Sequence, residues 1–196
     1  MKDYSQTSPQ EIWKLIRSGE IDYPTAGMCA GYAQANLVIL PKQYAEDFSP
    51  TENESLMLIG NAGLGKTHAA LAIAGLVLEQ GHDVIYVSSP DFFGKIEASR
   101  FDPSGDADTL LRTASTADLL ILDDLGTEFV TPYFITVFYS LLNNRLGAGL
   151  PTIITTNITD GALLEKRYTE KISSRLSAFI PFRFLGEDIR PQKAAE

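Results

Sequence analysis

The sequence predicts an α/β fold in which helices cover both faces of a parallel β-sheet. Short apolar runs, which are typical of buried parallel strands, alternate along the chain with longer stretches of helical periodicity. A glycine-rich loop joins the first apolar run to a long apolar helix. Because 44% of the 196 residues are hydrophobic and 21% are charged, the chain carries enough apolar material for the core of such a fold.

Five segments have the composition of buried strands. The first, "LMLI", ends directly before Gly60, and the others are "DVIYVSS", "DLLILDD", "PTIITTN" and "IPFRFL". Each is short and rich in branched apolar residues, as strands with two covered faces are. We therefore predict strands over residues 56–59, 83–89, 118–124, 151–157 and 180–185.

Helical periodicity fills the segments between these runs. One predicted helix closes at Gly81, one begins at Pro90 and Asp91, and one stops near Gly147. The pattern predicts helices over residues 9–18, 66–80, 106–115, 133–146 and 160–176, the last in one or two pieces. The polar segment 42–55 contains a proline and indicates a linker or lead-in loop.

The charge balance limits how the chain can contact nucleic acid. A formal net charge of −9 excludes attraction to DNA through the overall field, so such contact requires a local basic patch or several subunits around one channel. The single cysteine, Cys29, rules out an internal disulfide and a cysteine zinc cluster, and two histidines make a His/Cys metal site improbable.

Membrane association is not expected either. No apolar run reaches the roughly 18 residues of a membrane span. The first residues, "MKDYSQTSPQEIW", lack the basic and then apolar layout of a signal peptide. The sequence therefore predicts a cytoplasmic protein.

The loop "GNAGLGKT" fits the phosphate-loop pattern G-x-x-x-x-G-K-[ST]. Small residues let backbone N–H groups approach a polyphosphate, and the helix that follows presents its positive end to that charge. Lys66 can reach the β and γ phosphates, and Thr67 can offer its hydroxyl to Mg²⁺. A chance match is the alternative, but the position between a strand and a helix favours ATP binding. The predicted contacts are Gly60, Asn61, Ala62, Gly63, Leu64, Gly65, Lys66, Thr67 and His68.

Two acids end the third predicted strand, in "LLILDD". In open parallel sheets, ligands bind beyond the carboxyl ends of the strands. Asp123 is the predicted Mg²⁺ carboxylate, acting through water, and Asp124 would orient or activate the attacking water. Glu128 is a less favoured base, and an ordinary acidic turn is the structural alternative.

The fourth predicted strand ends in "TTN". Its place between the first and third strands would bring the Asn157 amide near the γ-phosphate, where it could hold the attacking water. An asparagine that caps the following helix is an equally common arrangement, and the residues alone do not separate the two.

Together, these motifs resemble the AAA+ ATPases of the DnaC/IstB type. "GNAGLGKTHAALAIA", "LLILDDLGTE", "IITTN" and "KISSRL" occur in that order from residue 49 to the end. The resemblance implies a three-layer AAA+ sandwich over residues 49–196, with strand order 5-1-4-3-2, behind an N-terminal extension over residues 1–48. It also implies ATP and Mg²⁺ as ligands and a slow ATPase stimulated by assembly or DNA.

The same resemblance assigns two arginines. Arg175 in "KISSRL" falls where such proteins carry an arginine finger that reaches a neighbouring subunit's γ-phosphate, which implies self-association. Arg190 falls where they carry an arginine that senses nucleotide in its own subunit. Both could instead be solvated surface charges. Many AAA+ proteins have glutamate at the position of Asp124, and the shorter aspartate suits slow turnover.

The group includes helicase loaders, so a replicative helicase and single-stranded DNA are the implied partners. In "PDFFGKIEASRF", Lys95, Arg100 and the aromatic Phe92, Phe93 and Phe101 lie where related proteins touch single-stranded DNA. Core phenylalanines with surface charges are the alternative, which is favoured for Phe92. Rival functions are an IstB-like transposition helper, a nucleotide-binding scaffold without turnover, and a small-molecule P-loop kinase.

The N-terminal extension resembles a different family. Residues 16–48, including "GYAQANLVILP", are similar to the N-terminal part of the D-glutamate cyclase/hydro-lyase family. A fusion, a recombination event or a sequence-assembly artefact would each explain the junction. Because the rest of that enzyme is missing, this resemblance predicts no cyclase or hydro-lyase activity and a poorly ordered or loosely docked arm.

Overall fold

A computed structural model describes residues 35–46, 48–101 and 106–186, together with positions 7, 8, 11, 14, 15, 18, 20 and 188. The strands are β1 (Leu56–Ile59), β2 (Val84–Ser88), β3 (Leu119–Leu125), β4 (Thr152–Thr156) and β5 (Ile180–Arg183). They form one sheet in the order β2-β3-β4-β1-β5, and every neighbouring pair is parallel. Read from the opposite edge, this is the predicted order 5-1-4-3-2, which is confirmed.

Helices connect the strands and cover both faces of the sheet. A π-helical turn, Ala35–Ile39, leads into α1 (Leu40–Ala45), and the remaining helices are α2 (Lys66–Glu79), α3 (Ser89–Ala98), α4 (Asp106–Thr116), α5 (Pro132–Ala148), α6 (Gly161–Tyr168) and α7 (Glu170–Leu176). The predicted stop near Gly147 is two residues early, since α5 ends against Gly149. The last predicted helix is divided in two at Thr169. Within the described ranges, no helix has the length and apolar character needed to cross a bilayer.

Two apolar layers lie on opposite faces of the sheet. One contains Phe92 of α3, Phe138 of α5 and Ile172 of α7, packed against alternate residues of β3. The other contains Ile73 of α2 and Phe182 of β5. Since buried residues of the central strands face both layers, these strands read as continuous apolar runs in the sequence.

The segment that precedes β1 packs more closely than its sequence suggests. Leu40, Tyr44 and Phe48 lie in the same apolar layer as α2, and all are at most 6% exposed. The Tyr44 hydroxyl donates to the Glu54 carbonyl at 2.8 Å. The predicted linker is therefore wrong for residues 42–45, and loose docking is wrong for Leu40, Tyr44, Ala45 and Phe48. Leu40 and Tyr44 share one face of α1, a signal that the polar residues between them obscured, and Phe48 joins the same layer from beyond the end of the helix.

We expect Leu40→Ala to lower the free energy of unfolding by about 3 kcal/mol, because it removes a fully buried side chain from this layer. Urea denaturation at neutral pH measures the change. Val38→Ala is the matched control on the preceding turn, where the side chain is 41% exposed, and it should shift the free energy by less than about 0.5 kcal/mol. Equal effects of the two substitutions would mean that α1 is not part of the folded core.

A buried arginine lies between α4, α5 and β4. Arg145 is 1% exposed, and its guanidinium donates to the carbonyls of Ala114, Ala117 and Pro151 and to the Thr152 hydroxyl. Desolvation by burial lowers its pKa to about 10, so it remains protonated at neutral pH. The cation is thus held by carbonyl dipoles at the ends of these elements.

Candidate functional site

The glycine-rich loop connects the end of β1 to the first residue of α2. Gly65 precedes the helix with φ of 88°, a left-handed conformation that favours glycine. Gly60 lies so close to Phe184 that a Cβ atom there would be 2.5 Å from the Phe184 carbonyl oxygen. The Asp188 carboxylate lies beside Gly63, and His68 is exposed on the first turn of α2. The loop therefore has the backbone that brings N–H groups and a helix N-terminus to one point.

The lysine that opens α2 is buried and reaches across the sheet. Lys66 is 5% exposed, and its Nζ donates to the Asn61 carbonyl and to Asn157 Oδ1, both at 2.8 Å. Asn157 lies just beyond the end of β4, which neighbours β1. The strand order thus brings together two residues that are 91 positions apart in the sequence. The Asn157 side chain thus contacts the loop lysine. The residue that caps the next helix, α6, is Asp160.

Three hydroxyl groups from three different elements surround the Asp123 carboxylate. The Thr67 hydroxyl of α2 lies 3.1 Å from Oδ1 and 3.2 Å from Oδ2. The Thr155 hydroxyl of β4 donates to Oδ1 at 2.6 Å, and the Tyr86 hydroxyl of β2 donates to Oδ2 at 2.6 Å. Asp123 is itself 5% exposed. The carboxylate is therefore held in one orientation, facing the start of α2.

The phenol that contacts Asp123 is protonated across the physiological pH range. Burial, the hydrogen bond to Asp123 and the negative charge of that carboxylate raise the pKa of Tyr86 well above its usual value. Tyr86 consequently acts as a hydrogen-bond donor here, although its side chain is 38% exposed at the edge of the sheet.

The second acid of the pair has an unusual backbone. Asp124 has φ of 57°, and the β3–β4 register shifts between Leu122 and Leu125. Its N–H donates to Thr155 Oγ1 at 2.9 Å, and the Thr127 hydroxyl donates to its carbonyl. The irregularity turns adjacent carboxylates in different directions, so that Asp123 is buried while Asp124 is exposed. Such strained positions concentrate at functional sites.

Glu128 is enclosed by structural contacts. It is 4% exposed and accepts hydrogen bonds from the Ser89 hydroxyl and the Gly126 N–H, both at 3.0 Å, and from the Tyr168 hydroxyl. Arg167 Nε lies 3.5 Å from the same carboxylate. Because these groups occupy both of its oxygens, Glu128 ties the turn after β3 to α3 and α6. This environment does not favour its role as a base.

Of the two arginines implied by the family resemblance, Arg175 lies within the described residues and Arg190 does not. Arg175 of α7 packs on the Tyr139 ring, with its guanidinium carbon 4.5 Å from the ring centroid, and donates to the Tyr139 hydroxyl at 2.7 Å and to Asn143 Oδ1 at 3.3 Å. Both partners belong to α5, and neither is a loop residue.

The proposed DNA-contact segment divides into core and surface. Phe92 and Phe93 are 4% and 5% exposed and belong to the apolar core, so the core position favoured for Phe92 is confirmed and contact of Phe93 with DNA is wrong. Phe101 is 87% exposed, and Lys95 is exposed on α3. The Arg100 guanidinium lies 4.2 Å from the centroid of the Tyr133 ring and 5.1 Å from that of Phe101. A basic and aromatic surface therefore remains at the end of α3.

Sequence reasoning missed Tyr86 and Thr155. Tyr86 stands inside an apolar strand pattern, where its ring reads as core, and Thr155 stands one residue before the last residue of β4. In a parallel sheet, residues on the same face of neighbouring strands lie side by side. Thr155 stands two positions before Asn157, and Tyr86 pairs with Ile121, which stands two positions before Asp123, so both face the same edge once the strand register is known.

The donor set fits a magnesium nucleotide. Mg²⁺ prefers oxygen ligands at about 2.1 Å, so two neighbouring ligands of one octahedral ion lie about 3 Å apart. The Thr67 hydroxyl and the Asp123 carboxylate have that separation, at 3.1 Å. Lys66 and the N-terminus of α2 supply positive charge on the loop side. These residues could hold phosphate oxygens and Mg²⁺ together.

Comparison with known sequences finds two unrelated likenesses. The replicative helicase loader DnaC of Escherichia coli (strain K12) is 27% identical over 129 residues, which cover 66% of this chain and 51% of that protein. A proposed hydro-lyase of Clostridium beijerinckii (strain ATCC 51743 / NCIMB 8052) is 67% identical over 46 residues, 24% of this chain and 18% of that protein. The chain thus spans about half the length of the first relative and less than a fifth of the second.

Solved structures agree with the predicted fold. The crystal structure of the DnaC helicase loader has a TM-score of 0.68 at 23% identity, over 78% of this chain and 90% of that one. The structure of DnaI has a TM-score of 0.68 at 23% identity, over 94% of this chain and 95% of that one. These likenesses establish the AAA+ fold.

A family model described as "IstB-like ATP binding protein" matches residues 43–166. That range contains the glycine-rich loop, both acids of β3 and Asn157. It also begins within α1, the helix that packs against α2. The chain belongs to the family of IstB-like ATP binding proteins.

Proposed function

We propose that this protein binds Mg²⁺-ATP at the carboxyl edge of its sheet and hydrolyses it slowly in an assembly of subunits. The observation that carries the proposal is the convergence of Lys66 with Asn157, and of Thr67 with Asp123, behind a loop with the backbone of a phosphate site. Family membership supports ATP as the nucleotide.

Each residue of this site has a chemical task in the proposal. Lys66 exchanges the Asn61 carbonyl for phosphate oxygens, and charge-assisted hydrogen bonds make that exchange favourable. Thr67 and Asp123 hold Mg²⁺, which neutralises charge on the phosphates. Asn157 orients the attacking water, and the exposed Asp124 carboxylate accepts its proton. An aspartate base, one methylene shorter than glutamate, accords with slow turnover.

Arg175 completes the site of a neighbouring subunit. Its described contacts, with Tyr139 and Asn143, lie on α5, away from the loop of its own chain. A half-buried arginine whose terminal nitrogens bond only to α5 among the described residues can turn to stabilise the charge that develops during phosphoryl transfer in an adjacent subunit. Self-association is then a requirement for hydrolysis.

Mixing two inactive variants tests this arrangement. Asp123→Asn keeps Lys66 and Arg175 but loses the metal carboxylate, whereas Arg175→Ala keeps the nucleotide site and loses the finger. We expect each variant alone to hydrolyse ATP at least about 100-fold more slowly than wild type. An equal mixture should recover about a quarter of the wild-type rate, since random assembly pairs an intact site with an intact finger at that frequency.

Lys171→Ala, an exposed substitution on the same helix as Arg175, is the control and should retain activity. Assembly is followed by light scattering in every sample. If assembled Arg175→Ala hydrolysed ATP at the wild-type rate, Arg175 would not be an arginine finger. If mixed assemblies recovered no ATPase activity, this would show that Arg175 does not act between subunits.

The proposed role is loading of a replicative helicase onto single-stranded DNA. The similarity to a protein named as a replicative helicase loader supports it, and the surface formed by Lys95, Arg100 and Phe101 offers cations and an exposed ring to a DNA strand. Stimulation of the ATPase by single-stranded DNA, lost in Arg100→Ala, tests that contact.

Family membership favours a second candidate, a helper ATPase of transposition, since the family description is IstB-like. Copurification with a replicative helicase supports the loader, and copurification with a transposase supports the helper. A transposase gene beside this one would also support the helper. Nucleotide binding with no turnover under either condition would leave a scaffold role.

A further inference from the structure

A side chain of the edge strand β2 donates a hydrogen bond to Asp123, the carboxylate proposed to hold the metal. Tyr86 is aligned with Ile121 of β3, and Asp123 follows two residues later on the same face. The tyrosine side chain therefore extends diagonally along the sheet, toward the carboxyl edge, and its hydroxyl meets Asp123 Oδ2 at 2.6 Å. Neither the loop motif nor the acidic strand motif includes this residue.

The hydroxyls of Tyr86 and Thr155 restrain opposite oxygens of one carboxylate. Thr155 donates to Oδ1 at 2.6 Å, and its Oγ1 in turn accepts the Asp124 N–H at 2.9 Å. Thr155 is fixed by the irregular β3–β4 pairing, whereas Tyr86 comes from the other neighbour of β3. With one donor on each side, the carboxylate cannot rotate without breaking a short hydrogen bond.

The third hydroxyl near Asp123, that of Thr67, makes longer contacts than the other two. Thr67 lies at 3.1 Å and 3.2 Å from the two oxygens of Asp123, longer than either of the other contacts. A threonine at this position of a phosphate loop turns its oxygen to Mg²⁺ when the ion is bound. Tyr86 and Thr155 would then be the groups that keep Asp123 oriented, because neither has to move.

We propose that Tyr86 is a positioning residue that fixes the Asp123 carboxylate for Mg²⁺ from the outer edge of the sheet. This inference rests on the proposed Mg²⁺-ATP site. Groups that hydrogen-bond to a metal ligand raise metal affinity by orienting that ligand, and their loss typically weakens binding about 10- to 100-fold. Tyr86 acts through Asp123 and needs no contact with the nucleotide.

Mn²⁺ binding in the presence of a non-hydrolysable ATP analogue provides a readout that is independent of turnover. We expect Tyr86→Phe, which keeps the ring and removes the hydroxyl, to weaken Mn²⁺ binding about tenfold in an electron paramagnetic resonance titration. Binding of the analogue without metal should stay within about twofold of wild type, since the loop and Lys66 are unchanged. With turnover, the Mg²⁺ concentration for half-maximal activity should rise, while KM for ATP at saturating Mg²⁺ should not.

Tyr44→Phe is the matched control, because it removes a hydroxyl that also makes one hydrogen bond, to the Glu54 carbonyl, in the segment before β1. It should leave Mn²⁺ affinity unchanged. Mn²⁺ affinity in Tyr86→Phe within twofold of wild type would overturn the positioning role while leaving the metal site intact. Failure of the wild-type protein to bind Mn²⁺ with the analogue would instead overturn the proposed site itself.

Discussion

Replacing Lys66 with alanine is expected to weaken ATP binding by about 100-fold or more and to abolish turnover. Lys66 is buried, already directed at the loop and Asn157, and is the one side-chain cation among the described contacts of that loop. Truncating one partner of a buried, hydrogen-bonded charge pair costs about 2–5 kcal/mol, and about 2.8 kcal/mol corresponds to 100-fold in affinity. Fluorescence titration with a labelled ATP analogue measures the loss.

The control for this substitution is Lys166→Ala, which removes an exposed lysine from α6 and should bind ATP as the wild type does. Circular dichroism spectra and thermal unfolding show whether each variant is folded. Retention of wild-type affinity by folded Lys66→Ala would mean that phosphates bind elsewhere.

Replacing Arg145 with alanine is expected to lower the free energy of unfolding by about 4 kcal/mol. The substitution removes the side-chain donor of the Ala114, Ala117 and Pro151 carbonyls, of which Pro151 keeps a long bond from the Leu120 N–H, and opens a cavity among α4, α5 and β4. Unsatisfied buried polar groups cost about 1–3 kcal/mol each, although relaxation and water entry reduce the sum. Since domains of this kind are stable by about 5–15 kcal/mol, the loss is a large fraction of the total. Urea denaturation measures it.

Two further variants separate geometry from charge at this position. Arg145→Lys keeps the cation but cannot form the planar set of hydrogen bonds, so it should lose most of the same stability. Arg112→Ala, on the exposed face of α4, should change the free energy by less than about 0.5 kcal/mol. A loss below about 1 kcal/mol in Arg145→Ala would contradict the anchoring role.

The sheet and its ligand edge could be predicted because their determinants are local and strongly patterned. The run before Gly60 leads into the glycine-rich loop and the run before Asp123 leads into two acids, and parallel strands place such ends at one edge. The contact between Lys66 and Asn157 is the three-dimensional result of that arrangement.

Other features depend on contacts that a linear pattern does not record. Tyr86 reads as strand core because aromatic residues are common in strands, and only the pairing of β2 with β3 brings its hydroxyl to Asp123. Helix α1 gave a weak signal because polar residues separate Leu40 from Tyr44, whose shared face becomes clear against α2. The burial of Arg145 gave no sequence signal, since three of its four described partners are backbone carbonyls.

The most direct test of the central claim is a crystal structure of the protein with Mg²⁺ and a non-hydrolysable ATP analogue. We expect the β and γ phosphates within about 3 Å of Lys66 Nζ and of the backbone N–H groups of residues 60–67. We also expect the metal between Thr67 Oγ1 and Asp123, with the Tyr86 hydroxyl still bonded to that carboxylate. A nucleotide bound away from this loop, or a metal that does not approach Asp123 directly or through water, would contradict the account.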